Sequence, residues 1–279
     1  MEKYLIWPEA APIKDTTTVM LAREDKTFAL VEEIIRVTSS CLRTNRIHIG
    51  MDEAWNMGRG VFMDKYGYVD PFDIFNEYME RLMPIVRKYG LTAMMWADMY
   101  FRNKSATGWF YDTSVTFSPE DISKIPEDIE LVFWHYGEEP KCDDLMLQIC
   151  NQLGRKIIFG GGLWNWAGHF PEHNYTMETS RFSLDACRKN NVREAMATIW
   201  FNDNGECPLF ANLFGLSFFA ELCFDPDPSD DKLRSRFEIT TGGDYDAFYS
   251  MSLYHNTFTP NDEYPDYSDR FLGKALFWQ

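Results

Sequence analysis

Two adjacent carboxylates, Asp52 and Glu53, follow directly on a short apolar run, Ile47-His48-Ile49, and a Gly50-Met51 step. A run of that kind belongs in a core, so a strand ending on two acids carries charge to the rim of a buried sheet. Two like charges so close do not both ionise easily, and one pKa is expected to rise. The pair then offers a proton donor beside an anion, which is the equipment of general acid–base chemistry. The competing reading is a solvated turn. Asp98 follows "TAMMWA", and Asp203 sits in "IWFNDNGE" with Glu206 three residues on. These three acids end apolar runs in aromatic surroundings, where a ligand contact competes with a helix cap or a solvated loop.

The elements that must position these residues recur along the chain. Five apolar runs stand out: "RIHIGMDE" (46–53), "TAMMWADMYF" (92–101), "IELVFWHYG" (129–137), "RKIIFGGGLWNW" (155–166) and "EAMATIWFNDNGE" (194–206). Near-continuous apolar strands suit a parallel sheet buried on both faces. Helices are predicted between them, over 27–43, 72–89, 142–153 and 178–190, with an apolar, buried helix over 208–223. The 72–89 helix has Asp70 as cap, Pro71 in its first turn and Gly90 at its end, and Pro84 is expected to kink it. Strand–helix alternation with polar residues at strand ends is the pattern of an α/β fold, either an open sheet or a (β/α)8 barrel. No GxGxxG and no GxxxxGK[ST] occurs, which weakens the nucleotide-binding sheet. "FGGG" (159–162) lacks the Lys and Ser/Thr of a phosphate loop. Its glycines suit a close approach of the chain to a ligand or a bend at a barrel rim.

Composition narrows the function classes. The chain has 279 residues and a net charge of -16, which disfavours a phosphate-binding surface and hence nucleic acid. Its aromatic share of 16% fits a pocket for a sugar or an aromatic ligand. Six scattered cysteines without a CxxC read as reduced structural thiols. Neither a signal peptide nor an apolar span of about 20 residues is visible, so a cytoplasmic location and no membrane partner are expected. The acidic stretches 224–231 and 259–269 read as solvated loops.

"HIGMDEA" resembles the H-x-G-x-D-E signature of family 20 glycoside hydrolases, the β-N-acetylhexosaminidases. "WPEAAPIKDT" (7–16), "MMWADMYFR" (94–102), "WHY" (134–136), "GGLWNWAG" (161–168) and "IWFNDNGE" (199–206) resemble the hexosaminidase D-like branch, in the same order over about 200 residues. Met51 stands where the secreted branch has glycine. The resemblance implies a (β/α)8 TIM-type barrel with the acid pair at the end of strand four. Strands four to eight would then be present and the first three missing. It further implies a catalytic domain over 1–223, with an acidic loop and the start of a helical C-terminal region over 224–279.

The chemistry implied is retaining exo-hydrolysis of terminal β-linked N-acetylglucosamine or N-acetylgalactosamine, without cofactor or metal. Family 20 departs from the usual two separated carboxylates by using the substrate's own 2-acetamido oxygen as nucleophile. Glu53 would be the acid and base, and Asp52 the partner of the acetamide N–H. Tyr136 is the candidate to hold the acetamide oxygen. Trp96, Trp134, Trp164 and Trp166 are candidates for the aromatic wall, each with barrel core as its alternative. Strand alternation is expected to send Trp164 and Trp166 to one side. Asp98, Asp203 and Glu206 are candidates for sugar hydroxyls or for support of the acid pair, and His48 packs under or orients the site. The partner expected is a small glycan or glycoconjugate ending in N-acetylhexosamine. A non-catalytic sugar-binding or inactive barrel fragment, and a metal-dependent barrel hydrolase, are the rival readings.

Overall fold

The structure is a computed structural model that describes residues 2–137, 140–166, 169–200 and 207–256. The chain forms two compact units, one of residues 1–133 with 148–157 and one of residues 134–147 with 158 onward. The five apolar runs each supply one strand, and the elements alternate as an α/β chain.

In the first unit a short helix α1 (Glu2–Leu5) and a 3-10 turn (Pro8–Ile13) precede α2 (Asp25–Cys41), β1 (Arg46–His48), α3 (Val61–Tyr66) and α4 (Pro71–Lys88). Then come β2 (Thr92–Trp96), α5 (Asp98–Lys104), α6 (Pro119–Lys124) and β3 (Glu130–Trp134). β1 pairs in parallel with β2, placing Ile47 beside Ala93, and β2 pairs in parallel with β3, placing Met95 beside Leu131. α4 shows why the sequence folds locally as expected. Asp70 accepts a hydrogen bond from the Phe72 N–H at 2.8 Å, Pro71 opens the first turn, and Phe72, Phe75, Met79, Leu82, Met83 and Val86 are buried on one stripe. The helix continues through Pro84 as one element. At the amino ends of the strands, Arg46 donates to Glu130 at 2.8 Å and Lys156 donates to it at 2.9 Å. Ion pairs occupy that end, and the residues with chemical potential occupy the other.

Helix α7 (Pro140–Gln152) and strand β4 (Lys156–Gly162) follow. The second unit continues through α8 (His173–Lys189), β5 (Ala195–Thr198), a 3-10 turn (Leu209–Asn212), α9 (Leu213–Phe224), α10 (Asp230–Thr241) and α11 (Tyr245–Ser250). β4 and β5 are parallel, with Gly161 beside Ala197 and Gly162 beside Thr198.

Three boundaries differ from expectation. α8 begins at His173, five residues before the predicted start, because burial of Tyr175, Thr176 and Thr179 outweighs their modest helix propensity. The 208–223 segment is a 3-10 turn followed by a helix rather than one buried helix. Phe214, Phe218, Phe219 and Leu222 are inside, while Phe210 is 73% and Phe224 is 89% exposed. A sequence apolar all round does not specify which face is buried. The acidic 224–231 stretch is not wholly loop: Ser229 caps α10, and Asp230 and Asp231 sit in its first turn, where the helix dipole favours acids. The 259–269 stretch lies outside the described residues. Among the described residues no helix is long and apolar enough to cross a membrane.

Candidate functional site

The acid pair sits on a backbone that turns sharply after β1. Gly50 has φ 74°, Met51 φ 78° and Glu53 φ 50°, so three of four consecutive residues occupy the left-handed region. Two of them carry side chains, and such conformations cost energy that the surroundings must offset. The surroundings do so by hydrogen bonding. Ile49 N–H donates to Met94 O at 2.8 Å, Trp96 N–H donates to Gly50 O at 3.0 Å, and Glu53 N–H donates to Asp98 Oδ2 at 3.0 Å. Asp98 is 3% exposed and opens α5 after the Ala97 cap position, and its carboxylate accepts from the Glu53 backbone.

A second carboxylate holds the far end of the same loop. Asp15, 5% exposed, accepts from Gly58 N–H at 2.7 Å, Gly60 N–H at 3.1 Å and Phe62 N–H at 2.8 Å. A Cβ on Gly60 would lie 2.0 Å from the Asp15 carbonyl oxygen, so only glycine fits there. Nothing in the local sequence marks Asp15 for this task, because its partners are more than forty residues away.

His48 lies under the loop. Its Nδ1 accepts from Gly50 N–H at 3.1 Å, and its ring is 4.5 Å from that of Trp96. Burial pushes its pKa down to about 4, so the ring is neutral near neutral pH. Trp96 is 8% exposed and packs as core against His48. The side chains of Asp52 and Glu53 are exposed and line the mouth of a cavity of about 830 Å³. Its remaining wall is largely aliphatic, with Val31, Ile34, Ile47 and Ile49 among the lining residues. The aromatic wall expected of the four tryptophans is not what borders the acids within this unit.

The second unit gathers the aromatic candidates. Trp134 and Tyr136 lie 5.2 Å apart between ring centres, Tyr136 and Trp166 5.2 Å, and Trp166 and Trp164 4.8 Å, with Tyr175 edge-on to Trp164 at 4.3 Å. Trp164 is buried at 4% exposure, whereas Trp134, Tyr136 and Trp166 are half-buried. Trp164 and Trp166 do meet, but not by strand alternation. β4 ends at Gly162, and a left-handed turn at Trp164 (φ 44°) brings the rings together. The glycines of "FGGG" make room for rings: a Cβ on Gly162 would lie 2.5 Å from Trp166 and 2.7 Å from Tyr136.

Polar contacts then fix the Tyr136 hydroxyl. Trp200 Nε1–H donates to it at 2.9 Å, and Thr198 Oγ1, itself 3.0 Å from Gly161 O, lies 3.2 Å away. The neighbouring His135 is 7% exposed, and its Nδ1 is 2.5 Å from Asp143 Oδ1. Ser183 Oγ donates to Asp143 Oδ2 at 2.6 Å. The serine bonds the aspartate and not the imidazole, so this Ser–Asp–His chain orients the 134–137 segment and does not activate a nucleophile. Asp143, Ser183 and Thr198 carried no signal in the sequence, since each sits in an ordinary amphipathic helix or at a strand end, while Trp200 falls in the "IWFNDNGE" stretch, where only the acids drew a role. Asp203 and Glu206 lie outside the described residues. Among the described residues no group of three or more His, Cys, Asp or Glu is placed to hold a metal ion.

A profile of the glycosyl hydrolase family 20 catalytic domain matches residues 6–147. No curated protein gives a significant match. Among solved structures, the chain is similar to a family 20 exo β-N-acetylglucosaminidase from Vibrio harveyi in complex with N-acetylglucosamine. That alignment has 13% identity and a TM-score of 0.52, over 85% of this chain and 37% of that one. A β-N-acetylhexosaminidase from Bacteroides fragilis aligns at 14% identity and a TM-score of 0.52, over 81% of this chain and 46% of that one. The chain thus spans less than half the length of these two proteins, and at such identities the likeness concerns the fold.

Proposed function

The chain belongs to glycosyl hydrolase family 20, and from that premise we propose that it is part of a retaining exo-β-N-acetylhexosaminidase of the hexosaminidase D-like branch. It acts on a small glycan or glycoconjugate ending in β-linked N-acetylglucosamine or N-acetylgalactosamine, in the cytoplasm and without cofactor. Residues 1–223 are its catalytic domain, and the helices α10 and α11 begin the region that follows. The barrel is completed by three strands preceding β1. The aliphatic cavity beside β1, lined by Val31, Ile34, Ile47 and Ile49, supports this reading, because such a surface requires apolar cover.

Adjacent carboxylates do not flank a glycosidic bond, so the nucleophile comes from the substrate. The 2-acetamido oxygen attacks the anomeric carbon as the glycosidic bond breaks. Glu53 gives its proton to the leaving oxygen. Asp52 accepts the acetamide N–H and stabilises the positive charge of the oxazolinium formed. Glu53, now a carboxylate, removes a proton from water, whose oxygen attacks the anomeric carbon and restores the acetamide. Two inversions leave the configuration retained. The intramolecular attack gains from proximity, up to about 7–11 kcal/mol in favourable cases. Tyr136 donates to the acetamide oxygen: Trp200 already donates to the phenol oxygen, which directs the phenol hydrogen elsewhere. Trp134 and Trp166 flank the acetamide methyl, while Trp96, Trp164 and His48 support the site from within. Asp98 acts through the backbone, and Asp203 and Glu206 bind outer hydroxyls.

The observation that carries this reading is the bond from Glu53 N–H to buried Asp98, which fixes the two acids at the carboxyl end of β1 inside the span matched by the family. The test is hydrolysis of an aryl β-N-acetylglucosaminide by the protein with its upstream strands present. It is expected to be cleaved, to be blocked by a thiazoline mimic of the intermediate, and to lose about 10²–10⁴-fold in kcat/KM in Glu53→Gln. The matching aryl β-glucoside, which lacks the acetamide, is expected to survive. Efficient cleavage of the glucoside refutes substrate assistance.

A further inference from the structure

Between Glu53 and α3 the chain runs through consecutive turns. Trp55 N–H donates to Glu53 O at 2.7 Å, Met57 N–H to Ala54 O at 3.2 Å, and Arg59 N–H to Asn56 O at 3.1 Å. These spans overlap, so the run has little slack of its own, and buried Met57 fixes its middle in the core. A displacement at its far end is therefore passed back toward Glu53. That far end is where Asp15 acts. Its carboxylate accepts from Gly58, Gly60 and Phe62, and its own carbonyl accepts from Val61 N–H at 3.1 Å. Asp15 in turn stands on a closed turn. Its N–H donates to Val19 O at 2.9 Å, Leu21 N–H donates to Ile13 O at 2.7 Å, and Lys14 and Met20 form an antiparallel bridge. Thr18, Val19 and Met20 of this turn line the same cavity as Asp52 and Glu53.

A carboxylate taken out of water costs desolvation that an apolar side chain would not. Asp15 offsets that cost with three backbone donors, all of them on the segment that continues from the acid pair. The two anchors divide the loop unequally. Asp98 holds the amide that joins Asp52 to Glu53. Slack introduced beyond Glu53 reaches the Glu53 side chain and is stopped short of Asp52. The two acids thus depend on Asp15 to different degrees.

We propose that Asp15 is a positioning residue for Glu53, acting through the backbone of residues 53–62 to hold the acid at the leaving oxygen. This rests on the reading of Glu53 as the proton donor. Loosening Asp15 then impairs protonation of the leaving group and spares the assistance that Asp52 gives to the acetamide. The defect depends on the leaving group. An alkoxide-like group that needs a proton to depart is slowed, and one that leaves readily as an anion is not. Anchoring of α3 alone, the competing role for Asp15, makes no such distinction between substrates.

The experiment compares 4-methoxyphenyl with 2,4-dinitrophenyl β-N-acetylglucosaminide, a poor and a good leaving group, in the protein with its upstream strands present. The variants are Asp15→Asn, which sets an N–H₂ donor against a backbone donor, and Asp15→Glu, which keeps the anion and shifts it by one methylene. The readout is kcat/KM, which reports the step that breaks the glycosidic bond. In Asp15→Asn it is expected to fall about 10²-fold on the methoxyphenyl glycoside and to stay within about threefold of the parent on the dinitrophenyl one. Asp15→Glu is expected to show a smaller loss of the same kind, and Glu53→Gln a larger one. Thermal melting identifies a variant that fails to fold, and the Glu variant then carries the test. Equal losses on both glycosides in a folded variant, or no loss on either, overturn the positioning role and leave Glu53 as the acid. A Glu53→Gln variant that loses both glycosides equally, or a parent that cleaves neither, overturns the reading of Glu53, and the role of Asp15 with it.

Discussion

The loop that bears Asp52 and Glu53 and the cluster around Tyr136 achieve rigidity by opposite means. In the acid loop the backbone is the object held. Asp15 and Asp98, both buried, take four backbone N–H groups between them, and Gly50, Met51 and Glu53 are kept in the left-handed region. The acids themselves stay exposed. In the aromatic cluster the rings are the object held. Two of them pack over Gly162, where no Cβ fits, and a buried His135–Asp143–Ser183 chain fixes the strand end that carries Trp134 and Tyr136. The contrast matches what each region is asked to present: a charged group near water needs its main chain fixed, and an apolar face needs its neighbours fixed.

Four substitutions or titrations break or sharpen that contrast, from the largest expected effect to the smallest. Tyr136→Phe removes one hydroxyl and leaves the rings. It is expected to lower kcat/KM on an aryl N-acetylglucosaminide by about 10²-fold, about 2.7 kcal/mol, with little change in melting temperature. A loss below threefold would remove Tyr136 from the acetamide. Asp143→Ala leaves the buried His135 and Ser183 without their acceptor, and denaturant titration should register a loss of about 2 kcal/mol. If ring packing alone holds the cluster, the stability stays within experimental error of the parent. In the acid loop, Met51→Gly relieves a left-handed residue at some entropic cost, so a net gain of about 0.5–1 kcal/mol is expected from the same titration. A loss would show that the Met51 side chain contributes more than its backbone costs.

Near neutral pH, where the curve is flat, the smallest effect belongs to a titration. His48 has its pKa pushed by burial down to about 4 from an ordinary 6.5, and protonation would also remove the Nδ1 lone pair that accepts the Gly50 N–H. The folded state therefore binds fewer protons than the unfolded state between those values. Stability is expected to rise from pH 4 to about 6.5 and to level off above, with the rise diminished in His48→Asn. An identical slope in the variant would assign the effect to other groups.

Much of this protein is legible in the order of its residues. Five apolar runs become five strands, because a continuous apolar stretch closed by a polar turn has few other ways to be buried. Helix α4 starts and stops at Asp70 and Gly90, because caps and left-handed turns are local chemistry. The acid pair falls at a strand end for the same reason. What the order of residues leaves open is decided across long separations. Asp15 finds Gly58 and Gly60, Asp98 finds the Glu53 amide, and Asp143 finds Ser183, and none of these pairs shares a window or a period. Folding alone determines that Trp96 and Trp164 become core while Trp134 and Trp166 stay half-open, because burial depends on what the rest of the chain packs against a ring.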